Sequence, residues 1–385
     1  MADRSPESFM QEALELAARG RGRVEPNPMV GCVLVKDSQI VGRGWHQAFG
    51  GPHAEVNALA DAGPAAEGAD AYVTLEPCAH WGKTPPCVDA LIRAKVRRVF
   101  AAIEDPFPQT AGLGPSRLCE AGICIRFGLL ANPARELNAP YLKLLTTGRS
   151  YVIAKWAQTA DNKLTCPGRR WISCQQSRLL VHQMRNEVDA IMIGIGTVLA
   201  DDPLLTCRLQ ATDPLLTCRL ASDPTDPADP TDPSHAANAA TNGRDPRRII
   251  IDTTARTPLT SRIVQTAREV PTIIAVTDAA PAERLQDLHD AGCEILVLPA
   301  ENGRVSLPAL FDETGRRRHT NILLEGGAQL LSAALSQGLV DEARIFAAPF
   351  NADDSSAPQA PSHPFFRETA RRMLGDDLYT IARAR

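Results

Sequence analysis

Two short stretches constrain this chain more than any other: His53-Ala54-Glu55, and the run from Pro77-Cys78 to Pro86-Cys87. One imidazole and two thiolates supply three ligands for a tetrahedral zinc, and three protein ligands leave the fourth position open, as a catalytic site requires. Each stretch lies at the expected start of a helix (His53–Gly63 and Pro85–Val96), with the strand-like run Ala71-Tyr72-Val73-Thr74-Leu75 between them. They make sense only together, as one site fed by two helix starts. Helix N-termini favour anions, which would stabilise Cys87 as thiolate. Glu55 sits two residues past the ligand, so it can face the metal without binding it. Zinc brings the pKa of its water to about 7, and Glu55 is the expected carrier of that proton, first to a ring nitrogen and then to a departing amine.

Neither half is specific alone. A lone histidine is more often a satisfied core or surface residue, and free cysteine is commonly a small buried hydrophobe. The joint pattern matches the His/Cys/Cys-plus-Glu set of zinc deaminases, although Cys78 and Cys87 lie nine apart rather than the commoner three. The run Glu76-Pro-Cys-Ala-His-Trp-Gly-Lys-Thr-Pro-Pro-Cys87 resembles the bifunctional deaminase–reductase family of riboflavin biosynthesis. So do Asn27-Pro-Met-Val-Gly31, Gly51-Pro-His-Ala-Glu55 and Asp105-Pro-Phe-Pro108. The wide cysteine spacing is that family's own form, and the likeness runs from the first helix to about Pro349. By resemblance, His80 and Lys83 in the inter-cysteine loop help bind substrate. Asn27 lies between two prolines that fix its backbone and could aim its amide at a pyrimidine edge. The plainer alternative is a solvated loop whose prolines and glycine only shape the ligand turn.

A chain of 385 residues is long enough for two separate cores. Acidic and basic residues nearly balance, 45 against 41, which argues against a partner bound through nucleic-acid phosphates. No export signal opens the sequence and no apolar run approaches membrane-spanning length. With ten cysteines and a thiolate site, a reducing cytoplasm is expected.

Residues Ser5–Gly20 read as an amphipathic helix, and Met29–Val35 with Ile40–Trp45 as a hairpin around Lys36-Asp37-Ser38. Arg97–Ile103, a helix near Ser116–Ala121 and Ile123–Phe127 complete an α/β layer, and Asn132–Thr147 reads as one closing helix before a joint at Gly148-Arg149-Ser150. The expected domains are 1–148 and 149–385. In the second, strands are expected at Tyr151–Ala157, Asp189–Gly194, Arg248–Asp252, Thr272–Val276, Glu294–Leu298 and Asn321–Leu324, with Ser173 capping a helix to about Glu187. Glu325-Gly326-Gly327-Ala328 joins the last strand to a helix, a turn that lets backbone N–H groups approach a phosphate. A two-glycine turn is usually just a turn, and this is not the G-x-G-x-x-G fingerprint.

The resemblance adds a cytidine-deaminase-like three-layer first domain and a dihydrofolate-reductase-like second domain that uses NADPH. Carried over position by position, it implies cofactor contacts at Ala157, Trp171, Thr197, Asp201, Thr253, Gly326, Gly327 and Ala328. It likewise implies sugar-phosphate contacts at Arg185, Leu205, Arg208 and Glu325. The chain departs from the family at Thr159-Ala-Asp161-Asn162, where Ser-x-Asp-Gly is usual, and at Arg169-Arg170-Trp171, where Ser-x-Trp is usual. The family's glycine-containing stretch is not evident after Ala348-Pro349. Asparagine tolerates positive φ, so Asn162 can preserve the turn.

Asp202-Pro-Leu-Leu-Thr-Cys-Arg-Leu209 recurs as Asp213–Leu220, and an Asp-Pro repeat follows to Pro233. Such proline spacing denies ladder donors and helix continuity, so about 210–246 reads as a surface insertion. Metal binding by Cys207 and Cys218 is not expected. The remaining cysteines outside the zinc motif read as structural.

The resulting expectation is a two-step enzyme with one Zn2+ per chain and NADPH. It deaminates a diamino-pyrimidinone ribosyl phosphate and then reduces the ribosyl group to ribityl. It needs no nucleic acid or membrane, and a homo-oligomer stays open. The competing readings are a nucleoside or tRNA deaminase, and a deaminase joined to a non-catalytic binding or assembly module.

Overall fold

The computed structural model describes residues 4–107, 112–208, 245–362 and 364–385. The chain divides into two compact units, Met1–Arg149 and Ser150–Arg385.

The first unit opens with helix α1 (Pro6–Ala18). The Ser5 hydroxyl caps it and its apolar face buries Phe9, Met10, Ala13, Leu14 and Ala17, as the spacing predicts. Strands β1 (Gly31–Lys36) and β2 (Gln39–Trp45) form an antiparallel hairpin whose turn residues, Asp37 and Ser38, have φ of 51° and 61°. Such left-handed two-residue turns match the twist of the strands they join. There follow α2 (Ala54–Ala62), β3 (Asp70–Val73), α3 (Cys87–Arg93), β4 (Arg98–Ala101), α4 (Leu113–Glu120) and β5 (Cys124–Phe127). The sheet order is β2-β1-β3-β4-β5, with β3, β4 and β5 parallel. Gly42 and Gly44 let α2 lie directly on β2: a Cβ there would sit 2.4 Å from Ala58 O and 2.2 Å from Ala58 N respectively. That close approach fixes the helix that follows directly on His53 and whose first turn carries Glu55.

The expected single helix over Asn132–Thr147 is instead two, α5 (Ala131–Leu137) and α6 (Ala139–Thr147). Pro140 lies in the first turn of α6, where a missing N–H is tolerated; in a continuous helix it would break the ladder. Asn138, between the two, accepts from Met29 N–H at 2.8 Å and donates to Met29 O at 2.9 Å.

The second unit contains β6 (Tyr151–Gln158), α7 (Gln175–Glu187), β7 (Ala190–Gly194), α8 (Ile195–Asp201), β8 (Arg247–Ile251), β9 (Thr272–Val276) and β10 (Glu294–Val297). After a short hairpin of β11 (Ala300–Glu301) and β12 (Arg304–Val305) come β13 (Asn321–Glu325), β14 (Glu342–Ala347), β15 (Phe366–Leu374) and β16 (Asp377–Ala384). The large sheet runs β10-β9-β8-β7-β13-β6-β14-β16-β15, parallel from β10 to β14. Both faces are covered: Ala190 and Met192 pack into one core, Ile191 and Ile193 into another. This explains why β7 reads as an unbroken apolar run rather than an alternating one.

Helix α7 starts one residue later than Ser173 would place it, with Cys174 at its cap. The capping acceptor is Asp377, which takes the Cys174 N–H at 2.8 Å and the Ser177 hydroxyl at 2.6 Å. Asn162 has φ of 60° and accepts from Gln158 Nε2 at 2.7 Å, so the asparagine holds the left-handed turn. The second sequence copy, Asp213–Leu220, and nearly all of the insertion lie outside the described residues. Among the described residues, no helix is long and apolar enough to cross a membrane.

Candidate active sites

In the first unit, His53 is the residue before α2, Cys87 opens α3, and Cys78 lies in the loop after β3. The three side chains converge. His53 Nδ1 lies 3.2 Å from Cys87 Sγ and 3.5 Å from Cys78 Sγ, and all three ligand atoms fall within 4.8 Å of one another. Tetrahedral zinc bonds of 2.0–2.3 Å place ligand atoms about 3.3–3.8 Å apart, so the donor set fits zinc. The Cys87 N–H points at Cys78 Sγ at 3.3 Å, a backbone dipole that favours thiolate. The interaction between the two sulfurs draws Cys78 down and pushes Cys87 well up. Glu55 is buried in the first turn of α2. Burial and the nearby Cys78 charge push it up to about 7, against the pull of His53.

His46 was not foreseen as part of this site. Its Nδ1 lies 3.0 Å from Pro52 O, and a carbonyl only accepts, so Nδ1 carries the proton. Burial lowers the pKa of the ring, and the neutral Nε2 then accepts from Asn27 Nδ2 at 3.3 Å. The His46 ring also packs edge-on to His53, with centroids 5.3 Å apart. Asn27 therefore has a fixed amide orientation beside the metal ligands. In the inter-cysteine loop, the His80 ring packs against Phe107 at 5.5 Å, and Lys83 Nζ lies over the Phe49 ring. The loop's flanks are tied down. Glu76 accepts from Gly112 N–H at 2.9 Å and Asp105 N–H at 3.2 Å, while Arg117 pairs with Asp89 and donates to Ala79 O at 3.1 Å. Pro108 lies outside the described residues.

In the second unit, several sequence-derived positions fall at the C-terminal ends of four neighbouring parallel strands, β8-β7-β13-β6. Thr253 follows β8, Thr197 lies in α8 just after β7, Gly326-Gly327-Ala328 follows β13, and Ala157 is near the end of β6. This is the end of an α/β sheet where ligands bind. Gly327 precedes the nine-residue helix Ala328–Ser336, and nothing lies within 4 Å of where its Cβ would be. An open glycine turn at a helix N-terminus fits a dinucleotide phosphate. Asp201 ends α8 and is exposed, as is Trp171, which is flanked by Arg170 and Arg178 at 5.2 and 5.5 Å.

Beside this edge, Arg185 grips Glu325 with two bonds of 2.8 and 2.9 Å and donates to Thr206 O at 3.3 Å. Lys155 stands opposite Glu325 in the β6–β13 register. Burial works against the Glu325 charge, but Arg185 and Lys155 overcome it and hold the carboxyl at about 2. His182 is lowered to about 4 by burial and by the charges of Arg185 and Arg208. Its Nδ1 accepts the Arg208 N–H at 3.3 Å. Leu205 turns its side chain into the core with φ of 56°. Lys155 and His182 are further neighbours that the sequence reading did not single out. A lysine inside the apolar run Val152–Ala157 was a readable signal, and so was a histidine three residues before Arg185 on one helical face.

Residues 150–352 match the family described as RibD C-terminal domain, and residues 3–103 match the cytidine and deoxycytidylate deaminase zinc-binding region. The riboflavin biosynthesis protein RibD of Escherichia coli (strain K12) is 41% identical over 89% of this chain and 87% of its own length. That of Actinobacillus pleuropneumoniae is 38% identical over 89% and 83%.

The chain belongs to the RibD family.

Its fold agrees along the whole length: the solved Acinetobacter baumannii RibD superposes with TM-score 0.81 at 34% identity, covering 98% of each chain. A diaminohydroxyphosphoribosylaminopyrimidine deaminase/5-amino-6-(5-phosphoribosylamino)uracil reductase from Thermotoga maritima gives 0.76 at 29% identity, again over 98% of each. The chain is thus a bifunctional riboflavin-biosynthesis enzyme. It has a zinc-binding deaminase half that contains the His53/Cys78/Cys87 cluster and a dihydrofolate-reductase-like RibD reductase half.

Proposed function

We propose that the chain performs two consecutive steps on one phosphoribosylaminopyrimidine. Residues 1–148 hydrolyse the 2-amino group of 2,5-diamino-6-(5-phosphoribosylamino)pyrimidin-4(3H)-one. Residues 149–385, interrupted by the insertion at about 210–246, reduce the ribosyl group to ribityl with NADPH. The observation that carries this reading is the convergence of His53 Nδ1 with Cys87 and Cys78 at 3.2 and 3.5 Å beside the buried Glu55.

His53, Cys78 and Cys87 would hold one zinc per chain. When bound, zinc supplies the Lewis acidity that makes a water nucleophilic near neutral pH. Glu55 accepts the water's first proton and delivers it to the ring nitrogen, then carries the second, from the adduct's hydroxyl, to the amine, which leaves as ammonia. Asn27, its amide oriented by His46, reads the pyrimidine edge, and His80 and Lys83 meet the polar and anionic parts of the substrate.

In the second step, Ala157, Trp171, Thr197, Asp201, Thr253, Gly326, Gly327 and Ala328 hold NADPH, which supplies the hydride for C1′ when bound. Arg208 offers a guanidinium fork to the sugar phosphate. Glu325, kept ionised by Arg185 and Lys155, accepts from ribose hydroxyls, and Arg185 completes that wall. Leu205, expected from the resemblance to touch substrate, instead has its side chain in the core and anchors the segment that carries Arg208. We infer a reducing cytoplasmic location from the thiolate site, and assembly as a homo-oligomer stays open.

The test is an assay on the diamino substrate with and without NADPH, following uracil-type product and NADPH oxidation separately. Uracil-type product is expected without NADPH, and equimolar oxidation once NADPH is present. Saturable NADPH binding without substrate-dependent oxidation would reduce the second half to a binding module. Absence of any uracil-type product would overturn the first step.

A further inference from the structure

We infer that Phe49 is a positioning residue for deamination: its ring holds the Lys83 ammonium where the substrate's phosphate docks. This rests on the reading of Lys83 as a substrate-binding residue. Lys83 lies in the loop between the ligands Cys78 and Cys87, and Phe49 lies just before the ligand His53, so their contact joins the two segments that carry the metal site. Lys83 Nζ is 3.9 Å from the Phe49 ring centroid, well inside the range of a cation–π contact. The lysine stem runs over Gly50, whose φ is +82°; a Cβ there would come within 3.4 Å of Lys83 Cδ. The turn is itself pinned. Gly51 N–H donates to Ala48 O and Phe49 N–H to Arg23 O, each at 3.0 Å. Phe49 remains 47% exposed, so core packing does not account for its place, whereas a ring held beneath an ammonium does.

An ammonium presents three N–H donors. A ring on one side leaves the other side open to an anion, and the phosphate is the substrate's formal anion. A lysine stem unrestrained in water would lose its rotamer freedom when the phosphate bound. With Phe49 in place, much of that ordering precedes binding.

The experiment is steady-state deamination without NADPH, with zinc content measured in every variant. Phe49→Ala is expected to raise KM about 2- to 5-fold, the equivalent of one exposed cation–π contact, with kcat within about twofold. Phe49→Tyr should restore the native KM. Phe49→Leu, apolar but without a π face, should behave like Phe49→Ala. The Phe49→Ala effect should vanish in a Lys83→Ala background and with a substrate lacking the phosphate. If Lys83→Ala leaves KM unchanged, the reading of Lys83 as substrate-binding fails and the inference falls with it. If Lys83→Ala raises KM but Phe49→Leu is native-like, or Phe49→Ala keeps its effect without Lys83, only the role of Phe49 is overturned. A lowered KM in Phe49→Ala would show the ring competing with phosphate, and would overturn it too.

Discussion

Glu55 and Glu325 are both carboxylates withdrawn from water, and they are shifted in opposite directions. Glu55 is pushed up to about 7 by burial and the Cys78 charge, while Glu325 is held at about 2 by Arg185 and Lys155 against the same burial. Burial alone disfavours the charged form; the charges of the neighbours decide whether that shift stands or is reversed. In the deaminase half the neighbours are sulfurs and an imidazole arranged for a metal, and the carboxylate is suited to exchanging protons. In the reductase half the neighbours are fixed cations, and the carboxylate is suited to staying charged. The proposed roles follow the same split: Glu55 to move protons, Glu325 to accept hydrogen bonds.

The largest expected effect comes from removing the setting of the first carboxylate. Cys87→Ser takes away one of three ligands, so zinc and deamination should both be lost. Reduction of already deaminated substrate should continue at the native rate. Metal analysis that found one zinc per chain in this variant, with deamination intact, would dissolve the contrast between the halves. Glu55→Gln is the finer cut, because it keeps shape and hydrogen bonding but cannot carry protons. Zinc should remain bound while turnover drops by about 10²–10⁴-fold, as for loss of a general acid–base group. Native turnover in this variant would remove Glu55 as the proton carrier.

For the second carboxylate the break is electrostatic. Arg185→Ala leaves Glu325 with Lys155 as its remaining close cation, and breaking a buried pair costs about 3–5 kcal/mol. The pH dependence has a definite sign. Glu325 has a depressed pKa in the folded state, so its contribution to stability is complete above the ordinary carboxylate value. It is lost as pH falls from about 4.3 toward the folded value of about 2. Without Arg185 the carboxyl takes up its proton at higher pH. Urea unfolding should therefore show a large native-to-variant gap at pH 7 that narrows toward pH 3. A gap that stays constant over this range would mean the loss comes from packing rather than charge.

The deaminase centre was legible in the sequence because its ligands sit in short runs at helix starts, with His53 and Cys87 only 34 residues apart. What escaped was set by distant neighbours. The break between α5 and α6 had a local sign in Pro140, but the bonds that hold Asn138 reach Met29, 109 residues away. The acceptor that starts α7 is Asp377, 200 residues from the Ser177 it bonds. His46 gains its role from Pro52 and Asn27. Lys155 gains its place from a strand register with β13 that no local pattern specifies. Asn162 went the other way: its backbone preference is local, and the turn came out as expected with φ of 60°.

The smallest expected effect comes from the duplicated segment, where local chemistry is the same in both copies and only placement can separate Arg208 from Arg219. The first copy is anchored residue by residue. Leu204 O accepts from the buried Arg248 at 3.2 Å, Leu205 enters the core, Thr206 O accepts from Arg185, and Cys207 N–H donates to Asp245 at 2.6 Å. Arg208 N–H then meets His182 at 3.3 Å, so the backbone beneath this guanidinium is fixed, and a phosphate clamp needs fixed geometry. Arg208→Ala should weaken substrate binding in the reductase step by about 10- to 150-fold, one lost charge-assisted hydrogen bond of about 1.5–3 kcal/mol. Arg219→Ala should stay within about 0.5 kcal/mol of native, as surface substitutions usually do. Steady-state KM for deaminated substrate in the two variants decides it. If Arg219→Ala is the damaging change and Arg208→Ala the silent one, the working register runs through the second copy, and the anchors around Leu204 to Cys207 serve stability alone.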